Sequence, residues 1–227
     1  MQQGDEPPAG DLGLNRLLAL SDGVFAIALT LLVLGLAVPA DLSGDELDRA
    51  FDELRAGGFA AALSFFVIGV FWMGHHRLFR VIDRYDDRLL LLNLVFLAPV
   101  VLMPFATELI AHYGDRPGIT AAYAAIISVA AIAQLVLWTY ATHRRRLVPA
   151  DTPRHVVVAE MLEAITSAVV FSVSIPVAYV SPSLARASWA VLTLVVSIAF
   201  RRVRRQRADD ESTDRRGPAS PPAASGR

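Results

Sequence analysis

Long apolar segments alternate with short charged segments along this chain. The first runs from Gly23 to Val38, and Thr30 is its only polar side chain. A membrane-spanning helix needs about 20 mainly apolar residues, and five further segments approach that length. The pattern predicts six spanning helices, at about residues 17–38, 57–74, 89–107, 119–142, 161–180 and 184–200. We therefore expect an all-α integral membrane protein with six transmembrane helices per subunit.

The two ends of the chain lack apolar segments. The first residues are polar and slightly acidic, and the last are rich in Arg, Pro and Ser. Both compositions are typical of disorder, because they supply too little apolar surface to bury. The expected organisation is a disordered tail at 1–14, a six-helix membrane domain at 15–202 and a second disordered tail at 203–227.

The arginines are distributed unevenly between the two predicted sides of the membrane. All 21 basic residues are arginine, and six spans would place 17 of them on one side and 4 on the other. Positive residues concentrate on the cytoplasmic side of membrane proteins. Both termini are therefore predicted to be cytoplasmic. The expected partner of the chain is the lipid bilayer, and no nucleic-acid partner is expected.

Several classes of chemistry have no support in the sequence. Cysteine is absent, which excludes disulfides and thiolate metal sites. Phosphate-binding, nucleophile-elbow, dinucleotide and zinc-protease motifs are also absent. We expect neither an enzyme nor a metal or cofactor site.

One ionisable residue, Asp22, lies more than a helical turn inside the first span. A charge at such depth costs roughly 2.5–3.5 kcal/mol, so it usually has a partner or a direct role. Several polar and aromatic residues are expected at the same cytoplasmic depth. They form a predicted structural network of Arg16, Ser21, Asp22, Trp72, His76 and Asn93. Direct handling of ions or protons by Asp22 remains the alternative.

The apolar residues Ile27, Leu31 and Leu34 form a stripe along the first helix, and Thr30 borders it. At 100° per residue, Asp22 lies about 140° from Ile27. If the stripe lines a pore, Asp22 is expected to point away from it, into the protein. The same spacing is also typical of residues that face lipid or another helix.

Three motifs in the first half of the chain resemble the transmembrane protein 175 family, in its bacterial six-helix branch. They are Arg16 with Ser21-Asp22, the segment from Trp72 to Arg77, and Asn93, all within residues 16–104. In the first motif, Leu20 stands where the family has phenylalanine.

The resemblance implies a potassium-permeable cation channel in the cell membrane, a homotetramer in which helix 1 lines a central pore. It places a hydrophobic constriction at Ile27, extended by Leu31 and Leu34 with Thr30 nearby, as gate and modest selectivity element. Potassium would be the permeant ion, and no cofactor is implied. Two alternatives remain: a proton-coupled or other secondary transporter using Asp22 and His76, and a non-conducting membrane scaffold.

Overall fold

A computed structural model describes residues 9–36, 44–84, 86–149, 152 and 154–189. Five long α-helices and one 3-10 turn account for most of these residues. They are α1 (Ala9–Leu31), α2 (Asp45–Phe79), α3 (Asp87–Tyr113), α4 (Pro117–Thr142), the 3-10 turn His143–Arg145, and α5 (Arg154–Val180). A further helical segment occupies 182–189, and the described part of the chain contains no strand.

The five long helices are each long and apolar enough to cross a membrane. The fold is therefore all-α, as the hydrophobic pattern predicts. Most of the predicted sixth span, 184–200, lies outside the described residues, as does the predicted tail at 203–227. The count of six spans and the cytoplasmic position of the termini stay predictions.

The first helix differs from its predicted range at both ends. It begins at Ala9, so residues 9–14 of the predicted disordered tail are helical. It ends at Leu31, and a tight turn follows in which Val33 and Leu34 donate to carbonyls three residues earlier. Apolar content marks the membrane-embedded part of a helix, whereas backbone hydrogen bonds continue into water. The helix ends are therefore poorly predicted by hydrophobicity.

The second helix extends far beyond its predicted span of 57–74. It has 35 residues, which at 1.5 Å per residue gives a length of about 52 Å. Residues 45–56, which lie between the first two predicted spans, also belong to it. Its first turn contains Asp45, Glu46 and Asp48, and acidic side chains stabilise the positive end of the helix dipole.

The helices form a bundle in which α4 is central. It packs against α3 and α5, α3 packs against α2, and α1 lies against α3 and, over a smaller area, α2. Phe25, Ile68, Phe96 and Ile127 belong to one buried apolar cluster that joins α1 to α4. The helix α1 therefore lies at the edge of the bundle, and much of its surface is uncovered by its own subunit.

Candidate functional site

The helix α1 has one buried side and one exposed side. Residues spaced by three and four positions face the bundle, and they are Leu17, Ser21, Phe25, Ala28 and Leu32. The opposite half of the helix is exposed, and we call it the free face of α1. It runs from Asp22 at one edge to Leu31 at the other.

Three of the four residues predicted to line a pore, Ile27, Thr30 and Leu31, lie on the free face, and Leu34 lies in the turn that follows α1. Ile27 is 60% exposed, Leu34 is 72% exposed and Leu31 is 41% exposed. The Thr30 hydroxyl is also exposed, and it donates a hydrogen bond to the Ile27 carbonyl over 2.9 Å. Because the hydroxyl hydrogen is used in this bond, Thr30 presents on the free face an oxygen that can accept hydrogen bonds or contact a cation.

A buried chain of hydrogen bonds fastens α1 to α2 and α3. The Asn93 side-chain amide donates from Nδ2 to Ser21 Oγ over 2.9 Å. Ser21 Oγ in turn donates to the Leu17 carbonyl over 2.9 Å. Asn93 Oδ1 lies 2.8 Å from His75 Nε2, and because an amide oxygen only accepts, the imidazole is the donor. The three side chains are 0–1% exposed.

His75 occupies an aromatic enclosure contributed by three helices. Its ring centroid lies 4.3 Å from that of Phe79, 5.7 Å from that of Phe96 and 5.8 Å from that of Phe25. Its second ring nitrogen, Nδ1, has no hydrogen-bond partner among the described residues. The imidazole position is thus fixed by packing on its faces and by one hydrogen bond to Asn93.

The hydrogen-bonded chain contains His75 rather than the predicted His76. His76 stacks on the Trp72 ring with centroids 5.6 Å apart, and its own side chain is exposed. The sequence contains a signal that identifies the buried histidine. His75 follows Ile68 and Phe71 at helical spacing, and both of those residues are buried, whereas His76 points about 100° away from His75.

Asp22 does not point into its own subunit, contrary to the expectation from the helical wheel. Its carboxylate is exposed, and Oδ1 accepts a hydrogen bond from Trp72 Nε1 over 2.9 Å. Trp72 is itself 39% exposed. Arg16 is exposed too, and no hydrogen bond or ion pair within the described ranges joins it to Asp22. The predicted network is therefore divided into a buried chain and an exposed Asp22–Trp72 pair.

Further polar links hold α2 to the rest of the bundle. Three buried hydroxyls from α2, α3 and α4 are connected, Thr107 to Ser64 over 2.6 Å and Ser64 to Tyr123 over 2.8 Å. Gln134 of α4 donates to the Phe71 carbonyl over 3.1 Å. These bonds satisfy polar groups inside an apolar bundle, where an unpaired group is costly.

An ion-pair cluster joins the end of α2 to α5. Arg77 Nε lies 2.6 Å from a Glu160 carboxylate oxygen, and Arg77 Nη2 lies 3.0 Å from Glu163. All three side chains are less than one-third exposed. One guanidinium therefore contacts two carboxylates at this position. Among the described residues, no group of three or more His, Asp or Glu side chains is arranged to hold a metal ion.

These helices define an all-α, multi-pass membrane protein whose first helix presents an apolar face outside its own subunit. Residues 16–104 match the family described as the endosomal/lysosomal potassium channel TMEM175. A potassium channel of Streptomyces collinus is 32% identical over 184 residues, covering 79% of this chain and 89% of the relative. The chain belongs to the TMEM175 family, which is a family of ion channels and not of enzymes. The resemblance seen in the sequence motifs is confirmed.

Two further comparisons extend the likeness. The crystal structure of a lysosomal potassium-selective channel TMEM175 homolog from Chamaesiphon minutus superposes with a TM-score of 0.73 at 30% identity, covering 82% of this chain and 97% of that one. The endosomal/lysosomal proton channel TMEM175 of Mus musculus is 30% identical over 131 residues, covering 57% of this chain. This chain covers only 26% of the mouse protein.

Proposed function

We propose that this protein is a potassium-permeable cation channel of the cell membrane. In the proposed assembly, four copies surround a central pore, α1 of each copy is innermost, and both termini are cytoplasmic. The Streptomyces relative is named a potassium channel, and the Chamaesiphon structure is that of a potassium-selective channel homolog. The observation that carries the proposal is the free face of α1, which its own subunit leaves uncovered.

The position of Asp22 favours a protein partner over lipid for this face. Among the described residues its carboxylate has one hydrogen bond, from Trp72, whereas a carboxylate can accept about four. Exposure of such a group to hydrocarbon costs several kcal/mol. Asp22 lies about 140° from Ile27 around the helix. When Ile27 points to a central axis, Asp22 is therefore directed obliquely away from that axis, where a neighbouring subunit would shield it from lipid.

The gate in this proposal is a ring of four Ile27 side chains. Isoleucine cannot coordinate an ion, so a narrow ring excludes water and closes the pore, and a wider ring passes a partly dehydrated ion. Potassium loses hydration water more readily than sodium, which favours potassium modestly at an apolar constriction. Leu31 and Leu34 extend this constriction. The Thr30 oxygens, whose hydrogens are occupied by the Ile27 carbonyl, would replace part of the lost water.

Ion flux measured in proteoliposomes tests the gate. Ile27→Asn should increase potassium flux and lower the preference for potassium over sodium, because a polar ring stays hydrated. Ile132→Asn is a matched control, since Ile132 is 47% exposed and lies on α4 rather than on the free face of α1. The control should leave flux near the wild-type value. Unchanged flux in Ile27→Asn with intact assembly would remove Ile27 from the gate.

The same preparation separates the alternatives. A channel gives currents that reverse near the potassium equilibrium potential when potassium is the only ion with a gradient. A coupled transporter requires a second gradient, and a scaffold gives no flux. A proton gradient imposed without a potassium gradient tests proton permeation, which is relevant because the mouse relative is named a proton channel.

A further inference from the structure

A cavity of about 440 Å³ lies where α4 ends and α5 begins. Its volume falls within the range of about 300–1,000 Å³ that is typical of small-molecule sites. Two arginines, two threonines and three valines line it. None of them belongs to the free face of α1 or to the hydrogen bonds that anchor that helix.

The cavity lies at the ends of two candidate membrane spans. One span is Pro117–Arg145 and the next is Val157–Val180, and residues from both ends contribute to the wall. Val157 and Val158 belong to the second span, and Val158 is 53% exposed. Arg144 and Arg145 end the first span, so the lining combines apolar residues of one span with basic residues at the end of the other.

The basic side of the cavity is formed by an unusual backbone turn. Arg144 and Arg145 have φ angles of 51° and 54°, and they are the only non-glycine residues with positive φ in the described ranges. Such conformations cost roughly 1–3 kcal/mol each and occur preferentially at functional positions. Both arginines of this turn line the cavity. The next arginine, Arg146, lies over the Tyr140 ring instead, 5.1 Å from its centroid.

The hydrogen-bonding capacity of the wall suits an anion. Within the described ranges no carboxylate forms an ion pair with Arg144. Thr142 donates its hydroxyl hydrogen to the Trp138 carbonyl over 2.7 Å, so the available hydroxyl donor in the wall is that of Thr152. Arg145 Nη1 donates to the Pro149 carbonyl over 3.2 Å, so the donors that match the oxygens of a phosphate group are the Arg144 guanidinium, which can form paired hydrogen bonds, and the Thr152 hydroxyl.

We propose that this cavity binds the headgroup phosphate of an anionic phospholipid, with an acyl chain lying along the valines. Free phosphate would contact Arg144 but leave the three valines without a partner. Basic pockets between transmembrane helices bind anionic headgroups through this combination of charge and apolar surface. The site is independent of ion conduction, because it contains no residue of the proposed pore.

Lipid binding to the full-length protein in neutral detergent tests the site. Native mass spectrometry and the thermal unfolding midpoint are measured with phosphatidylglycerol, with phosphatidylcholine and with inorganic phosphate. Phosphatidylglycerol alone should remain bound and raise the midpoint. The double variant Arg144→Asn/Arg145→Asn should bind it about 10-fold or more weakly, since each basic contact contributes about 1 kcal/mol. Asparagine is chosen because it tolerates the left-handed backbone.

Arg84→Asn is the matched control. Arg84 is exposed, 4.0 Å from Asp83, and lies outside the cavity, so this variant should keep wild-type affinity. If the double variant does not fold, Arg144→Asn alone replaces it and should still weaken binding several-fold. Equal affinity for the two lipids, an equal loss in Arg84→Asn, or an equal effect of inorganic phosphate would overturn the proposal.

Discussion

The strongest structural prediction concerns Asn93, the middle member of the buried chain that anchors α1. Asn93→Leu keeps a similar volume but removes the acceptor for His75 Nε2 and the donor to Ser21 Oγ. Ser21 keeps its bond to the Leu17 carbonyl, so losing the hydrogen bond from Asn93 to Ser21 lowers the free energy of unfolding by only about 0.5–1.5 kcal/mol. The His75 N–H becomes a buried donor without an acceptor, which costs about 1–3 kcal/mol. The expected destabilisation is therefore about 2–4 kcal/mol.

A double-mutant cycle with His75→Phe isolates the hydrogen bond from other effects. Phenylalanine preserves the ring packing against the three surrounding aromatic side chains but cannot donate. Any strain from its larger ring occurs in both the single and the double variant and cancels in the coupling. The double variant should be less destabilised than the sum of the single variants, by about 1–3 kcal/mol, because no unpaired polar partner remains.

Equilibrium unfolding in mixed micelles supplies the four free energies of the cycle. Ser174→Ala is a distant control, since Ser174 accepts from Trp189 elsewhere in the bundle. Its effect should add to that of Asn93→Leu within about 0.5 kcal/mol. If the destabilisations caused by His75→Phe and by Asn93→Leu also add within about 0.5 kcal/mol, the imidazole does not donate to Asn93. The proposed direction of the hydrogen-bonded chain is then wrong.

Two further predictions concern the contacts of α2 with α4 and α5. A Cβ atom on Gly74 would lie 2.6 Å from Gln134 Nε2, so Gly74→Ala should displace the amide, break its bond to α2 and lower stability by about 1–3 kcal/mol. Gly69→Ala, which meets no atom within 4 Å, should cause no loss. Arg77→Gln removes the guanidinium that forms ion pairs with the partly buried Glu160 and Glu163 and should cost about 2 kcal/mol or more, whereas Arg55→Gln, whose side chain is 82% exposed, should cost less than about 1 kcal/mol. Unfolding midpoints in detergent measure both comparisons.

The helices are predictable from sequence because hydrocarbon allows few alternatives. A backbone that crosses a bilayer must satisfy its own hydrogen bonds, and an α-helix does so within one segment. The ends are less predictable, since α2 continues through acidic residues from Asp45 that hydropathy assigns to a loop. Water imposes no requirement for a helix to stop where the apolar residues stop.

The site is only partly predictable, for a geometric reason. The sequence identifies the polar residues of α1, α2 and α3, but adjacent residues on a helix differ in direction by about 100°. His75 and His76 therefore have opposite environments, which the phase of the buried stripe decides. The assembly proposed for the free face of α1 is even harder to predict from the sequence, because a contact between identical copies would appear in one chain only as uncovered surface.

The exposed pair of Asp22 and Trp72 provides the test that separates a structural carboxylate from one that transfers protons. Asp22→Asn keeps an oxygen that can accept from Trp72 Nε1 but cannot exchange a proton. A structural role predicts that Asp22→Asn retains assembly and potassium flux, whereas Asp22→Ala loses assembly because Trp72 is left without its acceptor. A proton pathway predicts that both variants lose proton-driven flux while the assembly of Asp22→Asn remains intact. Size-exclusion chromatography and flux, measured on the same samples, therefore distinguish the two roles. A loss of flux identifies Asp22 as an ion-handling group only when chromatography shows that the same sample is still assembled.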